Sequence, residues 1–127
     1  MADRKIPAPT PSPETAEFWQ AAAQGRLLLR RCTACGKTHW YPRAICPHCL
    51  GDTAWEEADG SGAIYSYTVM RRAPEPYAVA YVTLDAGPTL LSNIVGCDFD
   101  ALRIGQRVTL AWVATEDGPP VPCFTLA

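Results

Sequence analysis

The chain has 127 residues, 48% of them hydrophobic, with 12 Pro, 9 Gly, 6 Cys, and 11 Lys and Arg against 13 Asp and Glu. A net charge of −2 argues against a protein whose main work is gripping a polyanion, because that needs a basic surface to neutralise phosphates. The total hides a split: residues 1 to 50 carry seven basic and three acidic side chains, and residues 51 to 127 carry four basic and ten acidic.

No run approaches the ~18 apolar residues of a membrane span. The proline-rich stretch from Met1 to Pro13 lacks the apolar core of a signal peptide. The expected location is therefore cytoplasmic. In that reducing compartment six cysteines do not read as a disulfide framework, and their spacing is read for metal or chemistry.

Residues 1–25 read as an extended lead-in followed by a short helix. Ser12 is placed as N-cap, Pro13 at the first helical position, Glu14 near the positive helix end and Gly25 as the stop. Phe18 and Trp19 fall on the side of Ala22 and Ala23, which leaves two readings. The aromatics dock in the protein's own core, or they meet a partner protein.

Residues 26–51 have the layout of a zinc ribbon: a strand at Leu27 to Leu29, a Cys turn, a strand at 38–41 and a second Cys turn. Cys32-Thr33-Ala34-Cys35 is separated by ten residues from Cys46-Pro47-His48-Cys49. Two such knuckles bring four thiolates onto one tetrahedral ion. With no open coordination position, a Zn2+ held there is structural, and its binding supplies the folding free energy of a segment with little core. Iron in a rubredoxin-type electron carrier is the alternative metal. Gly36 and Gly51 follow the knuckles, where positive φ helps backbone wrap a metal. His39 and His48 read as surface or outer-sphere residues, with His48 the nearest substitute ligand.

Residues 52–127 carry period-two strands at 63–70, 77–84, 89–95, 107–113 and 121–126, separated by Gly, Pro and Asp turns. Val108, Leu110 and Trp112 share one face of the fourth. The count and spacing match a mainly β, five-stranded OB-fold barrel, and a five-strand sandwich fragment fits nearly as well. Glu56, Glu57 and Asp59 read as a solvated acidic patch at a turn. Cys97 and Cys123 read as small buried hydrophobes, since no neighbouring His or cation in the sequence lowers their pKa.

No G-x-S-x-G elbow, phosphate-binding glycine loop or H-E-x-x-H occurs in the sequence, which points to a binding protein rather than a self-contained enzyme. Arg71 and Arg72, at the end of the first barrel strand, are the candidates to meet a phosphate-bearing ligand, against a bland reading as solvated loop arginines. Tyr65, Tyr67, Tyr81 and Trp112 could stack bases, so single-stranded nucleic-acid binding is a competing function, opposed by the acidic barrel half.

The ordered set Phe18-Trp19, Gly25-Arg26-Leu27, Arg31-Cys32, Cys35-Gly36, Tyr41-Pro42-Arg43, Cys46-Pro47-x-Cys49, Gly60-x-Gly62-x-Ile64-Tyr65-Ser66-Tyr67 and Arg103-Ile104-Gly105-x-x-Val108 resembles a known family. Its members are OB-fold proteins with an N-terminal rubredoxin-like zinc ribbon that accompany thiolase-superfamily enzymes. The resemblance spans residues 14–126. It implies a noncatalytic subunit or domain docked on a thiolase-like, acyl-CoA synthase-like or lipid-transfer-type aldolase partner, where it helps assemble the acyl-CoA site or link consecutive enzymes, and the short tail after Leu126 leads us to expect a stand-alone subunit. It also implies that Cys32, Cys35, Cys46 and Cys49 are the ligands of one Zn2+.

Overall fold

A computed structural model describes residues 5–127, so part of the expected lead-in, residues 1–4, lies outside the described residues. From Lys5 the chain lies along the barrel, where Pro7 bridges Glu116 in parallel and the Glu116 N–H donates to the Ile6 carbonyl at 2.9 Å. No described helix is long and apolar enough to cross a membrane.

The helix α1 (Ala16–Ala22) starts later than the Ser12-Pro13 pattern predicts. Ser12 and Thr15 close a turn on each other instead. The Ser12 N–H donates to Thr15 Oγ1 at 2.9 Å, the Thr15 N–H donates to the Ser12 carbonyl at 3.0 Å, and the Thr15 carbonyl takes the first helical bond from Trp19. Glu14 also leaves its expected place at the helix end, because its Oε2 accepts the Ala44 N–H at 2.7 Å. The stop falls where the sequence puts it. Gly25 sits at φ 74°, and the N–H groups of Gly25 and Arg26 donate to the Ala22 and Ala21 carbonyls, the paired bonds of a glycine-terminated helix. Phe18, Trp19, Ala21 and Ala22 are buried and Ala23 is exposed, so the aromatics serve the protein's own core.

Three antiparallel strands form the ribbon sheet: β1 (Leu27–Cys32), β2 (Thr38–His39) and β3 (Thr53–Ala58), in the order β2-β1-β3. The strand β3 falls where the sequence suggested a solvated acidic turn. Its two glutamates carry no apolar period, but each faces a cation across the sheet. Glu57 accepts from Arg26 at 2.9 Å, Glu56 accepts from Arg31 at 3.0 Å, and the Arg30 guanidinium lies 4.0 Å over the Trp55 ring. The strand is therefore specified by cross-strand pairs, which a hydrophobic pattern does not reveal.

The strands β4 (Ser61–Met70), β5 (Tyr77–Leu84), β6 (Thr89–Ile94), β7 (Arg107–Thr115) and β8 (Gly118–Leu126) close into a barrel in the order β4-β5-β6-β8-β7. Closure rests on a parallel pairing of β6 and β8 at Ile94 and Phe124, both buried. This decides for the OB-fold barrel over the sandwich fragment. Ala78, Ala80, Val82 and Leu84 alternate inward from β5, and a bulge between Ile64 and Ser66 leaves Tyr65 outside the register and exposed. At Gly62 a Cβ would lie 2.6 Å from the Thr83 carbonyl oxygen, so glycine is what lets β4 approach β5.

The two parts share one core. The helix packs on both β1 and β8, and the buried cluster runs from Phe18, Leu27 and Leu29 to Ile64, Val82 and Phe124. Thr38 of β2 adds a polar tie, donating through Oγ1 to the Ala86 carbonyl at 3.0 Å in the β5–β6 turn.

Candidate metal centre

The knuckles are local products of the ribbon's turns. The Gly36 N–H donates to the Cys32 carbonyl and the Leu50 N–H to the Cys46 carbonyl, so each Cys-x-x-Cys run is one tight turn. The Cys32 N–H reaches the Lys37 carbonyl and the Cys46 N–H reaches the Gly51 carbonyl, which fixes both turns to the strand ends. As a result the sulfurs of Cys32, Cys35, Cys46 and Cys49 all lie within 4.8 Å of one another.

This geometry fits a tetrahedral ion. Metal–sulfur bonds of about 2.3 Å place ligand sulfurs about 3.8 Å apart. Cys35 and Cys46 stand at 3.8 Å and Cys32 and Cys49 at 3.4 Å. Amide N–H groups point at the sulfurs as a thiolate site requires: those of Ala34 and Cys35 toward Cys32, and that of His48 toward Cys46, each at 3.3 Å. The Cys35 and Ala34 amides hold the Cys32 thiol down to about 6. At Cys49 the Gly51 amide works downward, but the neighbouring sulfur of Cys32, burial, and the sulfurs of Cys35 and Cys46 outweigh it and push the thiol up to about 11. With four sulfurs around one centre and Cys32 and Cys46 buried, the site suits a structural metal and leaves no position for a reacting water.

The left-handed backbone falls on Gly36 and Leu50, at φ 76° and 66°, not on Gly51. Gly51 serves close approach instead: a Cβ there would lie 3.3 Å from the sulfurs of both Cys32 and Cys49. His39 is neither at the surface nor among the clustered sulfurs. It is 4% exposed, its Nε2 accepts the Arg43 N–H at 3.2 Å, and burial lowers its pKa. His48 is exposed, and among the described residues the ligand cluster consists of the four cysteines.

Filling the site changes the charge of the ribbon. Between Arg26 and Ala58 there are five basic side chains (Arg26, Arg30, Arg31, Lys37, Arg43) and three acidic ones (Asp52, Glu56, Glu57). Four thiolates around a divalent cation add a formal excess of two negative charges, so the occupied ribbon is neutral. The basic surface read from the sequence is largely the counterpart of the metal centre and of β3.

The other candidate residues are spread over the barrel. Arg71 is exposed and donates to Asp100 at 2.8 Å, and Arg72 is exposed beside it. Tyr65 and Tyr81 are exposed, the Tyr67 hydroxyl donates to the Leu102 carbonyl at 2.9 Å, and Trp112 is packed against the core. Of the four aromatics, Tyr65, Tyr67 and Tyr81 are therefore open to solvent, and Trp112 is partly buried. Cys123 is buried, and burial together with the Asp98 carboxylate pushes the Cys97 thiol up, away from nucleophilic use.

A rubredoxin-like ribbon carrying a closed four-cysteine site, continuous with a five-stranded OB barrel, defines a class of metal-stapled β proteins. Residues 19–56 match the family model described as the ChsH2 rubredoxin-like zinc ribbon domain, and residues 55–113 match the ChsH2 C-terminal OB-fold domain. The chain belongs to this ChsH2/DUF35 family, as the ordered motifs implied. A probable enoyl-CoA hydratase alpha subunit of Thermomonospora curvata is 38% identical over 93% of this chain, and the chain spans 39% of that protein's length. A DUF35 domain-containing scaffold protein of Methanothermobacter thermautotrophicus is 34% identical, with 78% of this chain and 81% of that protein covered. Among solved structures, a chain of an Ltp2-ChsH2(DUF35) aldolase superposes with a TM-score of 0.82 at 36% identity, covering 93% of this chain and 98% of that one. A DUF35-family protein of unknown function from Sulfolobus solfataricus shares the fold, with a TM-score of 0.68 at 17% identity over 91% of this chain and 87% of its own.

Proposed function

We propose that this chain is a noncatalytic accessory subunit of an acyl-CoA-processing enzyme assembly, docked on a thiolase-superfamily partner and helping to form or bridge the CoA-thioester site. The observation that carries this reading is the near full-length likeness to the chain of the Ltp2-ChsH2(DUF35) aldolase. The relatives named scaffold proteins support it, as does a metal site built for structure. In this reading Cys32, Cys35, Cys46 and Cys49 hold one Zn2+. The ion supplies rigidity, and the ribbon and helix present a fixed surface to the partner. Arg71 and Arg72 are the groups offered to a coenzyme phosphate, Arg71 after exchanging Asp100.

Co-expression with the protein encoded by the neighbouring gene tests the reading. The expected result is a stable complex whose acyl-CoA turnover falls when this chain is withheld. A monomer that never co-elutes, beside a neighbour fully active alone, overturns it. Metal analysis of the purified chain is expected to give about one colourless zinc per chain. Red iron with a reversible redox wave overturns the structural role of the site.

A further inference from the structure

Leu50 follows Cys49 as Gly36 follows Cys35, and both residues have left-handed backbone, at φ 66° and 76°. That conformation suits glycine and is strained for an L side chain. The first knuckle uses glycine. The second places a leucine there and leaves it 77% exposed, more than any other large hydrophobic side chain among the described residues. Ile45, just before the same knuckle and bridged to Asp52, is 50% exposed. Backbone strain and an apolar side chain in water thus coincide at one residue, and the surface around Leu50 in the folded chain relieves neither.

Charge restricts what can cover this tip. Arg26 and Arg31 are engaged by Glu57 and Glu56, and with four thiolates around a divalent ion the formal charge of residues 26–58 sums to zero, so exposed Arg43 near Ile45 is not part of a net basic excess of the kind a polyanion or an anionic lipid surface requires. The electrostatic complement is an uncharged, apolar pocket on another protein, the environment that anchor residues fill at interface centres.

We infer that the second knuckle is the docking knob of this chain: Leu50, flanked by Ile45, inserts into an apolar pocket of the enzyme subunit. This rests on the accessory-subunit reading above and assigns that contact to particular residues.

The test measures binding of the purified, metal-loaded chain to the protein encoded by the neighbouring gene, with L50G, and with I104S as an exposure-matched control on the barrel, Ile104 being 71% exposed. L50G is expected to keep its metal and to melt no lower than the parent, because glycine relaxes the left-handed backbone, while its Kd rises at least about tenfold. I104S is expected to leave Kd within about twofold, and raising salt from about 0.1 M to 1 M to change it little. Unchanged binding by L50G overturns the inference. So does loss of metal or a lower melting temperature in L50G, which would give Leu50 a role inside the chain, and so does an equal loss in I104S. A dimer of the isolated chain that L50G abolishes would make a second copy the occupant and overturn it as well. Failure of the parent chain to bind the enzyme subunit at all overturns the accessory-subunit reading and this inference with it, a result distinct from a complex that forms and ignores Leu50.

Discussion

Phe18 of α1 and Trp40, just after β2, meet edge to face with ring centroids 5.3 Å apart and planes at 69°, and Trp40 in turn stands 5.3 Å from Tyr41. Phe18 is fully buried in a helix that also touches the barrel at β8. The helix that carries Phe18 therefore serves two parts of the molecule, which explains how a ribbon with little core of its own keeps a fixed orientation.

Phe18→Ala should accordingly damage both parts. Removing a fully buried aromatic ring from a close-packed core costs about 3–5 kcal/mol. Denaturant unfolding is expected to show that loss in the barrel's strand signal, and competition with a chelator is expected to show weaker metal retention in the same variant. A loss below about 1 kcal/mol, or a change confined to one part, would mean that the helix does not couple them.

Cys46→Ser separates the two parts in the opposite way. Cys46 is fully buried and its sulfur lies 3.8 Å from that of Cys35, so the variant breaks the tetrahedral set at its interior. It should lose the metal and unfold the ribbon, abolishing partner binding, while the closed ladder of β4 to β8 keeps much of its strand signal. Metal content, circular dichroism and co-elution check this. Retention of both metal and complex would show that the four sulfurs are not the ligand set.

The two glycines beside the knuckles should fail for different reasons. At Gly36 a Cβ meets nothing within 4 Å, so Gly36→Ala is expected to cost only the left-handed strain, about 1 kcal/mol, with metal content unchanged. At Gly51 a Cβ would sit 3.3 Å from two of the sulfurs, so Gly51→Ala should displace them and lower metal affinity beyond its effect on stability. Chelator competition and thermal melting, run on both variants, distinguish strain from crowding. Equal effects on affinity would contradict the assignment.

What the sequence made legible is what neighbouring residues decide. The two Cys-x-x-Cys turns, the Gly25 stop and the alternation of Ala78, Ala80, Val82 and Leu84 each follow from a few adjacent residues. What it hid depends on distant ones. The strand at Thr53–Ala58 is defined by arginines of β1, the start of α1 shifts because Ser12 pairs with Thr15 and Glu14 is drawn to Ala44, and the barrel closes through Ile94 and Phe124. Leu50 illustrates the limit. Its chemistry is visible in the sequence, but its left-handed backbone is a property of the folded knuckle alone.

His39 gives the fold a pH dependence separable from that of the metal. The ring is 4% exposed, its Nε2 accepts the Arg43 N–H, and its Nδ1 is buried without a hydrogen-bond partner. Burial, followed by the charge of His48, lowers its pKa below the ordinary 6.5. The unfolded chain therefore binds a proton at a higher pH than the folded one. The contribution of His39 to stability is complete above about pH 6.5 and is lost as pH falls from there toward the lowered folded value, at up to about 1.4 kcal/mol per pH unit. His39→Gln keeps an acceptor for the Arg43 N–H and removes the titration. Denaturant midpoints of the parent and the variant, compared between about pH 7 and pH 5, should diverge as the parent weakens faster. Thiolate protonation acts on both proteins alike and cancels in the difference. Parallel profiles would mean that His39 titrates in the folded protein as it does in the unfolded chain.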